Sequence, residues 1–400
     1  MAGFHISLQV VSLSHLDPNL KFDQRIFDVH QTPFHKRHLD QGGKLVEFAG
    51  WEMPIMYTSI IDEHKQVRSS GGVFDVSHMG RIKIAGKDAR LLLERLLTRR
   101  ISGMKPGQCR YSLICNEQGG VRDDVLIYRF EEHWMLVVNA SNREKILEHI
   151  SDNAGKHKVK VTDLTFKTSM LAIQGPNVME QFERFSKEVP ALKRYGFCEK
   201  SVLIVKLIIS RTGYTGEDGV EVILPAKMPA MAMDMLLKSG GSDAEQVLKP
   251  AGLGARDSLR LEAGMPLYGH ELDEDVIPIA VGLDFAIAFD KGETDSDKEN
   301  DIPGFIGQEA VKKCAKEGTV RKLVGLKLKG RRTPRQGMSV RQNGTQVGTV
   351  TSGCLSPTLG YPIAMAMVDC PNADVGKAVN VQLGSKAADG EIVPLPFYKR

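Results

Sequence analysis

The pattern of apolar segments changes near residue 318, and this change limits the folds that the chain can adopt. Before it, helix-like and strand-like segments alternate irregularly. After it come only short strand-like runs separated by turn residues, including Asn343-Gly344, a strong β-hairpin signal. We therefore predict an α+β fold in which residues 318–400 form a separate all-β domain, a barrel or a sandwich.

Domain boundaries follow from the same change. Residues 31–290 form one mixed α+β region, and residues 291–317 are a polar loop followed by a helix at 308–316. The highly polar residues 291–301 predict an exposed loop with no chemistry of its own. The strands predicted for the all-β domain are 322–328, 338–341, 346–351, 363–368 and 378–383.

Composition excludes several classes of function. The chain has 400 residues, enough for two or three domains, and a net charge of +4 does not argue for nucleic-acid binding. No apolar stretch approaches the ~18 residues that a membrane-spanning helix needs. The six cysteines lack the spacing of a zinc site, and we expect all six to be reduced, buried core residues.

Residues 1–30 match no targeting signal. Their weakly apolar run at 6–13 has no Lys or Arg before it, unlike a secretory signal. The segment has one Arg and three acids, unlike a mitochondrial transit peptide. We expect a dispensable extension on a cytoplasmic protein.

Two strand-like runs, 124–130 and 134–139, are separated by a short polar break and predict a β-hairpin. If the hairpin is symmetric about Glu132, Val125 pairs with Asn139 and Asp124 with Ala140. Asp124 then lies beside Asn139 at the open end. Further predicted elements are strands at 44–48, 170–173, 203–210 and 220–224, and helices at 85–100 and after Gly252.

The pair Asp123-Asp124 is the first candidate for chemistry. It follows Gly119-Gly120, which would let a ligand approach closely, and an acid at the mouth of a hairpin can bind a ligand or transfer a proton. The alternative is that both acids form a turn at the start of the strand. The residues alone favour the turn.

Two later positions could bind a ligand. Glu221 follows the glycine-rich run 213–219 and could hydrogen-bond a planar heterocycle through both oxygens, or simply be an exposed strand residue. Arg256 lies beside Gly252-Leu253-Gly254 and could hold a carboxylate, or pair on the helix surface with Asp257 or Glu262.

The histidines give a weaker signal. His78 in the run 75–79 could be a general base, but a lone His after an apolar strand is more often a satisfied structural residue. His30, His35 and His38 lie in an irregular polar segment, and metal binding there has little support. The chain has no phosphate-binding P-loop, no HExxH, no GxSxG and no complete GxGxxG.

Read together, several short motifs resemble the T-protein family of the glycine cleavage system. The resemblance runs in order from about residue 31 to the C-terminus, and all of the motifs in register are highly specific. The motifs are 48–54, 73–79, 119–124, 173–176, 211–217, 252–263, 351–353 and 356–360. The leader before residue 31 and the polar insertion at 291–301 lie outside them.

The resemblance implies a fold and a reaction. The family fold is a three-lobed ring with two intertwined α+β lobes, a β-rich C-terminal lobe and a folate channel in the centre. The reaction is a tetrahydrofolate-dependent aminomethyl transfer. The substrate is an aminomethyl group on the lipoyl arm of the H-protein, and the products are dihydrolipoyl H-protein, ammonia and 5,10-methylenetetrahydrofolate. The partners expected are therefore tetrahydrofolate and the lipoylated H-protein, with no metal, nucleic acid or membrane.

The resemblance also implies roles for single residues. Asp124 matches the family's catalytic carboxylate, Glu221 its pterin-binding glutamate and Arg256 its arginine at the folate site. Asp124 and Tyr128 share one face of their strand, because they are four residues apart. Further residues expected to line the channel are Met79, Tyr111, Tyr128, Asn139, Tyr214 and, from a looser match, Tyr398.

Two other readings remain open at this stage. One is a folate-binding relative without transferase activity, such as the proteins of iron–sulfur cluster assembly or the folate domains of sarcosine and dimethylglycine dehydrogenases. Asp124 and the full C-terminal domain argue against the former, and the lack of a flavin-binding domain against the latter. The other is a sugar- or peptide-binding protein, which rests on generic α+β composition alone.

Overall fold

The computed structural model describes residues 29–184, 186–202, 205–228, 247–293 and 302–400. The helices are α1 (His35–Asp40), α2 (Ile60–Ser69), α3 (Ala89–Leu96), α4 (Arg143–Ala154), α5 (Val178–Glu183), α6 (Glu188–Ala191), α7 (Leu253–Glu262) and α8 (Gln308–Glu317). The strands before residue 291 are β1 (His30–Gln31), β2 (Lys44–Phe48), β3 (Trp51–Met56), β4 (Gly71–Asp75), β5 (Gly80–Ala85), β6 (Gln108–Cys115), β7 (Val121–Arg129), β8 (His133–Val138), β9 (Lys160–Asp163), β10 (Thr168–Gln174), β11 (Phe197–Val202), β12 (Val205–Ser210), β13 (Gly219–Pro225) and β14 (Leu248–Pro250). The remaining strands are β15 (Arg321–Leu328), β16 (Ser339–Gln342), β17 (Thr345–Leu355), β18 (Pro362–Asp369), β19 (Ala378–Leu383) and β20 (Lys386–Val393).

Two sheets make up most of the region before residue 291. The six-stranded sheet has the order β11-β12-β13-β10-β4-β14, and the five-stranded sheet has the order β6-β7-β8-β5-β9. The chain leaves the first sheet after β4, builds the whole of the second, and returns with β10. The sheets share a core that includes Phe74, Tyr128, Val137 and Met170. The predicted α+β class is confirmed.

Helices cover the other faces of both sheets. On the five-stranded sheet, Leu92 and Leu96 of α3 and Ile146 of α4 pack with Ile127 and Leu136. Burying these side chains stabilises the fold by roughly 1.5–3 kcal/mol each. The strand β7 therefore has a buried side, facing the helices, and a second side that faces the other sheet.

The last part of the chain is a closed barrel in the order β15-β18-β17-β16-β19-β20, which confirms the predicted all-β domain. Asn343 and Gly344 form the turn between β16 and β17 with φ of +50° and +82°, a conformation that these two residue types tolerate best. The closing strand β20 was not predicted, because Asp389-Gly390 interrupts its apolar pattern.

The register of the β7–β8 hairpin differs by one residue from the prediction. Leu126 pairs with Val137 and Tyr128 with Met135, so the hairpin is centred between Glu131 and Glu132 rather than on Glu132. The turn is the tight two-residue kind, because Phe130 donates its N–H to the carbonyl of His133. The corrected register aligns Asp124 with Asn139 itself.

Two predicted elements were too long. The helix predicted at 85–100 is α3, because Ala85 still belongs to β5 and Leu97 is already extended and bridges to Ile114. Leu97 is buried and continues the apolar periodicity of α3 although it is not helical, which explains why the predicted helix was too long. The strand predicted at 203–210 is β12, residues 203 and 204 lie outside the described residues, and its partner β11 was not predicted.

Some residues are not where the sequence suggested. A Cβ on Gly120 would lie 1.8 Å from the carbonyl oxygen of Glu274, so this glycine serves close backbone packing and not the approach of a ligand. Lys291 is buried against Glu94, with 2.7 Å between Nζ and Oε2, so the predicted exposed loop does not begin there. Residues 294–301 and 1–28 lie outside the described residues.

The cysteines only half follow the prediction. All six are free thiols, as expected. Three are buried, but Cys314, Cys354 and Cys370 are only partly buried, so the expectation of six core residues is wrong for these three.

Candidate functional site

A cavity of about 1190 Å³ lies where the two sheets, α7 and the barrel meet. Such a volume is sufficient for a substrate larger than a typical small ligand. Seven of the predicted site residues line it: Met79, Tyr111, Asp124, Asn139, Tyr214, Glu221 and Arg256. Lining residues that the sequence did not single out for the cavity include His78, Tyr195, Tyr268, Cys354 and Phe285.

Asp124 reaches the cavity from β7 and is held at both oxygens. Tyr111 on the adjacent strand β6 donates its hydroxyl to Oδ2 at 3.1 Å, and Nδ2 of Asn139 donates to Oδ1 at 2.7 Å. Burial raises the pKa of Asp124, although these two donors act to lower it. A fixed carboxylate with a raised pKa is suited to accepting a proton or to stabilising positive charge.

Asp123 was paired with Asp124 in the sequence but lies on the opposite face of β7. It is fully buried and accepts hydrogen bonds from the side chains of Asn139 and Asn142. Burial and the neighbouring Asp124 carboxylate raise its pKa to about 8. The reading of both acids as turn formers is wrong, since both lie inside the strand.

Glu221 lies on β13 and is only 6% exposed, which contradicts the alternative of an exposed strand position. Thr212 donates a hydrogen bond to Oε2 at 2.5 Å. Burial raises the pKa of Glu221. The carboxylate is therefore desolvated and has few partners of its own, as expected of a group that binds a ligand through N–H donors.

Tyr128 does not line the cavity. Its hydroxyl contacts Ser210 at 3.0 Å, Ser210 contacts Thr212 at 2.9 Å, and Thr212 holds Glu221. Tyr128 therefore supports Glu221 from behind. Tyr128 lies on the same face of β7 as Asp124, as predicted, but at its position that face packs into the core beside the cavity.

Arg256 extends from the first turn of α7 into the cavity wall. Its guanidinium lies 4.8 Å from the ring centre of Tyr214, and its Nη1 is buried without a hydrogen-bond partner. Neither predicted surface partner is used, because Asp257 pairs with Arg260 at 2.8 Å and Glu262 pairs with Arg68 at 2.9 Å. An unpaired buried donor of this kind marks a place for an acceptor on a ligand.

His78 is not the satisfied structural residue that was expected. It is 3% exposed, lines the cavity, and its Nδ1 has no hydrogen-bond partner. Burial and the cations Arg256 and Arg81 lower its pKa to about 4, although Asp75 opposes them, so the imidazole is neutral at neutral pH. The sequence had offered His78 as a candidate general base, but it gave no sign that the side chain faces the cavity.

Tyr398 lies away from the cavity as well. Its hydroxyl donates to Glu217 at 3.0 Å, and its ring lies 4.0 Å below the guanidinium of Arg68. The C-terminal tail thus joins a group of polar side chains between α2, α7 and the barrel. This group, which we call the interdomain network, consists of His64, Arg68, Glu217, Glu262, Ser356 and Thr358.

Glu262 is the centre of the interdomain network. It accepts from Arg68 at 2.9 Å, from the Thr358 hydroxyl at 2.8 Å and from the hydroxyl of Ser356, and it lies 3.1 Å from Nε2 of His64. Burial alone would raise its pKa, but the hydrogen bonds from His64, Ser356 and Thr358 lower it to about 2. This carboxylate is saturated with partners.

The three N-terminal histidines lie in regular elements, not in an irregular segment: His30 in β1, and His35 and His38 in α1. His38 has a structural role, because it bridges Tyr57 at 2.7 Å and Asp75 at 2.9 Å. Among the residues that the structure describes, no group of three His, Cys, Asp or Glu side chains could hold a metal ion. Within the same residues, no helix has the length and apolar character needed to cross a membrane.

The fold and the cavity define an α+β enzyme with a closed barrel at one side of a desolvated, carboxylate-bearing pocket. The family model for the GCVT N-terminal domain matches residues 34–291, and that for the glycine cleavage T-protein C-terminal barrel domain matches residues 321–399. The chain belongs to the glycine cleavage T-protein family.

Individual relatives agree with this assignment. An aminomethyltransferase of Rubrobacter xylanophilus is 43% identical over 374 residues, covering 93% of this chain and 95% of the relative. One from Caldanaerobacter subterraneus is 40% identical over 376 residues, covering 93% and 97%. The crystal structure of glycine cleavage system aminomethyltransferase T from Bartonella henselae superposes with a TM-score of 0.83 at 32% identity, covering 93% and 98%. The chain is thus a transferase of the aminomethyltransferase class.

Proposed function

We propose that this enzyme transfers the aminomethyl carbon of a lipoylated H-protein to tetrahydrofolate, releasing ammonia, dihydrolipoyl H-protein and 5,10-methylenetetrahydrofolate. The observation that carries the proposal is Asp124, a carboxylate with a raised pKa that is fixed in the wall of a large cavity by Tyr111 and Asn139. A transferring carbon between sulfur and nitrogen needs such a group beside it.

The cavity has the chemistry to bind a folate. Its volume of about 1190 Å³ suits a long ligand, and its wall has a desolvated carboxylate, Glu221, that can accept N–H bonds from an aminopyrimidine edge. Arg256 Nη1 and His78 Nδ1 are buried polar atoms without partners, so a ligand would satisfy them. The guanidinium suits a carboxylate of the folate tail.

In the reaction, bound tetrahydrofolate supplies the nucleophilic nitrogen that takes the carbon. Asp124 accepts or orients the proton at that nitrogen and stabilises positive charge at the methylene. The carbon–nitrogen bond to the leaving ammonia and the carbon–sulfur bond to the lipoyl arm break as the carbon forms bonds to two folate nitrogens. The two protons that these nitrogens lose go to the ammonia and to the dihydrolipoyl sulfur. The donors Tyr111 and Asn139 keep the carboxylate in place, so no reorganisation is needed at the moment of transfer.

The test is ammonia release from aminomethyl-loaded H-protein with and without tetrahydrofolate, in wild type and Asp124→Asn. We expect folate-dependent turnover in wild type and a ~10²–10⁴-fold lower kcat in the variant, with folate binding retained. Asp369→Asn is the matched control, because Asp369 is a partly exposed barrel carboxylate paired with Arg321 at 2.8 Å. It should keep the wild-type rate.

Two results would overturn the proposal in different ways. Tight folate binding by wild type without turnover would place the chain among folate-binding relatives that lack the transferase activity. Wild-type turnover that survives Asp124→Asn would leave the reaction in place and remove Asp124 from it.

A further inference from the structure

The two acids of the Asp123-Asp124 pair point to opposite faces of β7 and yet meet through one side chain. Nδ2 of Asn139 donates to Oδ1 of Asp123 at 2.8 Å and to Oδ1 of Asp124 at 2.7 Å. An amide nitrogen has two N–H groups, so each carboxyl can receive one of them. The Asn139 amide is therefore a hydrogen-bond donor shared by Asp124, which faces the cavity, and Asp123, which faces the protein interior.

Asp123 contacts the Asn139 amide as part of a larger set of hydrogen bonds. Its Oδ1 also accepts from Nδ2 of Asn142 at 2.7 Å, and its Oδ2 accepts from the backbone N–H of Asn139 at 3.1 Å. The ion pairs of the described residues do not include Asp123, so its polar partners are these three N–H groups, two from Asn139 and one from Asn142. Both oxygens of Asp123 act as acceptors, which a carboxyl group provides in either protonation state and an amide cannot, because an amide nitrogen only donates.

We propose that Asp123 is a positioning residue, which fixes the amide of Asn139 with Nδ2 directed at Asp124 and so holds the catalytic carboxylate in its working rotamer. The proposal rests on the function proposed above, because its effect is on that reaction. Asp123 itself is fully buried and touches no substrate.

The physical reason is the orientation of one amide. If the Asn139 side chain were flipped, its Oδ1 would face the Oδ1 atoms of Asp123 and Asp124, and both carboxyl groups would lose the N–H donor that they now share. Asp123 binds both the backbone and the side chain of Asn139, so it fixes the amide plane as well as its direction. Asp124 then has Asn139 on one oxygen and Tyr111 on the other, which leaves little freedom to rotate.

The first experiment measures kcat and KM for tetrahydrofolate in Asp123→Ala, with Asp123→Asn as the milder variant, in the ammonia-release assay. Loss of the anchor should lower kcat by ~10–100-fold, the usual cost of a misplaced catalytic group, while KM stays within about threefold. The Asn variant should lie between wild type and Ala, because its single oxygen can accept from only some of the three donors.

A double-mutant cycle with Asn139→Ala separates positioning from general destabilisation. If Asp123 acts through Asn139, then Asp123→Ala should change kcat by no more than about twofold once Asn139 is already Ala. The matched control is Asn142→Ala, which removes a hydrogen bond from Asp123 without touching Asp124. It should lower the melting temperature and keep most of kcat. Additive effects in the cycle, or an equal loss of kcat in Asn142→Ala, would overturn the proposal.

A crystal structure of Asp123→Ala provides a readout that needs no turnover. We expect the Asn139 amide to move so that its distance to Oδ1 of Asp124 exceeds hydrogen-bond range. An unmoved amide would overturn the positioning role whatever the kinetics. If wild type shows no turnover at all, the proposed function fails, and the structure of the variant still decides whether Asp123 positions Asn139.

Discussion

Helix α7 has a charged side chain near each end, and the two lie in opposite surroundings. Arg256, at the start, faces the cavity with a buried Nη1 that has no partner. Glu262, at the end, lies in the interdomain network with hydrogen bonds from Arg68, Ser356 and Thr358. Helix α7 thus connects the cavity, where Arg256 lacks a hydrogen-bond partner at Nη1, to the interdomain network, where Glu262 has several.

The carboxylates show the same contrast. Burial raises the pKa values of Asp124 and Glu221 in the cavity wall, whereas its partners lower the pKa of Glu262 to about 2. A buried charge whose hydrogen-bond partners are all present stabilises the fold, whereas a buried polar group without such partners is available to bind a ligand. We infer that the interdomain network holds the barrel against the region of the two sheets, while the cavity wall binds the ligand.

The largest effect expected from this contrast is on stability, at Glu262. Glu262→Gln keeps the shape but leaves the Arg68 cation without this carboxylate, which should lower the free energy of unfolding by ~3 kcal/mol. Denaturant unfolding measures it, with the exposed Glu317→Gln on α8 as the control. A loss no larger than that of the control would show that the interdomain network does not hold the barrel.

Acid should weaken the same network. Because the pKa of Glu262 is lowered from 4.5 to about 2, its contribution is fully present above about pH 4.5 and is lost as the pH falls toward 2. The loss should amount to about 3 kcal/mol. The difference in unfolding free energy between wild type and Glu262→Gln, followed from pH 5 to pH 2, isolates this part. A difference that stays constant over that range would contradict the assignment.

A smaller effect of opposite sign is expected in the cavity wall. The raised pKa of Asp124 means that folding disfavours its charged form, a cost that is present at neutral pH and disappears as acid protonates the group. Asp124→Asn removes that charge and should raise the melting temperature at pH 7 while it lowers kcat by ~10²–10⁴-fold. A melting temperature that falls as in Glu262→Gln would erase the distinction between the two regions.

The sequence predicted the broad architecture well because it depends on local patterns. The hairpin residues Asn343-Gly344 and the regular strands after residue 318 were enough for an all-β domain. The resemblance of the glycine-rich and acidic motifs to the T-protein family selected Asp124, Glu221 and Arg256 as candidates. These residues belong to short motifs that occur in the expected order along the chain. Such motifs can be recognised even when a predicted strand register is wrong by one residue or a predicted helix is too long by several.

What the sequence could not predict depends on distant contacts. The interdomain network joins His64 and Arg68 to Thr358 across almost 300 positions, and no local pattern signals it. The missing partner of His78, the position of Tyr128 behind Glu221 and the docking of Tyr398 on Arg68 likewise follow from how the sheets and barrel pack. Periodicity identifies a face of a strand, but only packing decides which part of that face meets the cavity.

The contrast between the two ends of α7 is tested most directly by measuring the Kd for tetrahydrofolate in Arg256→Gln and Glu262→Gln by calorimetry, with the milder Thr358→Val as a second network variant. All three variants are measured under conditions in which they remain folded. We predict a ~10–100-fold weaker Kd for Arg256→Gln, since it loses a charge-assisted hydrogen bond, and a Kd close to wild type for the two network variants. Equal weakening in all three, or none in Arg256→Gln, would contradict the account.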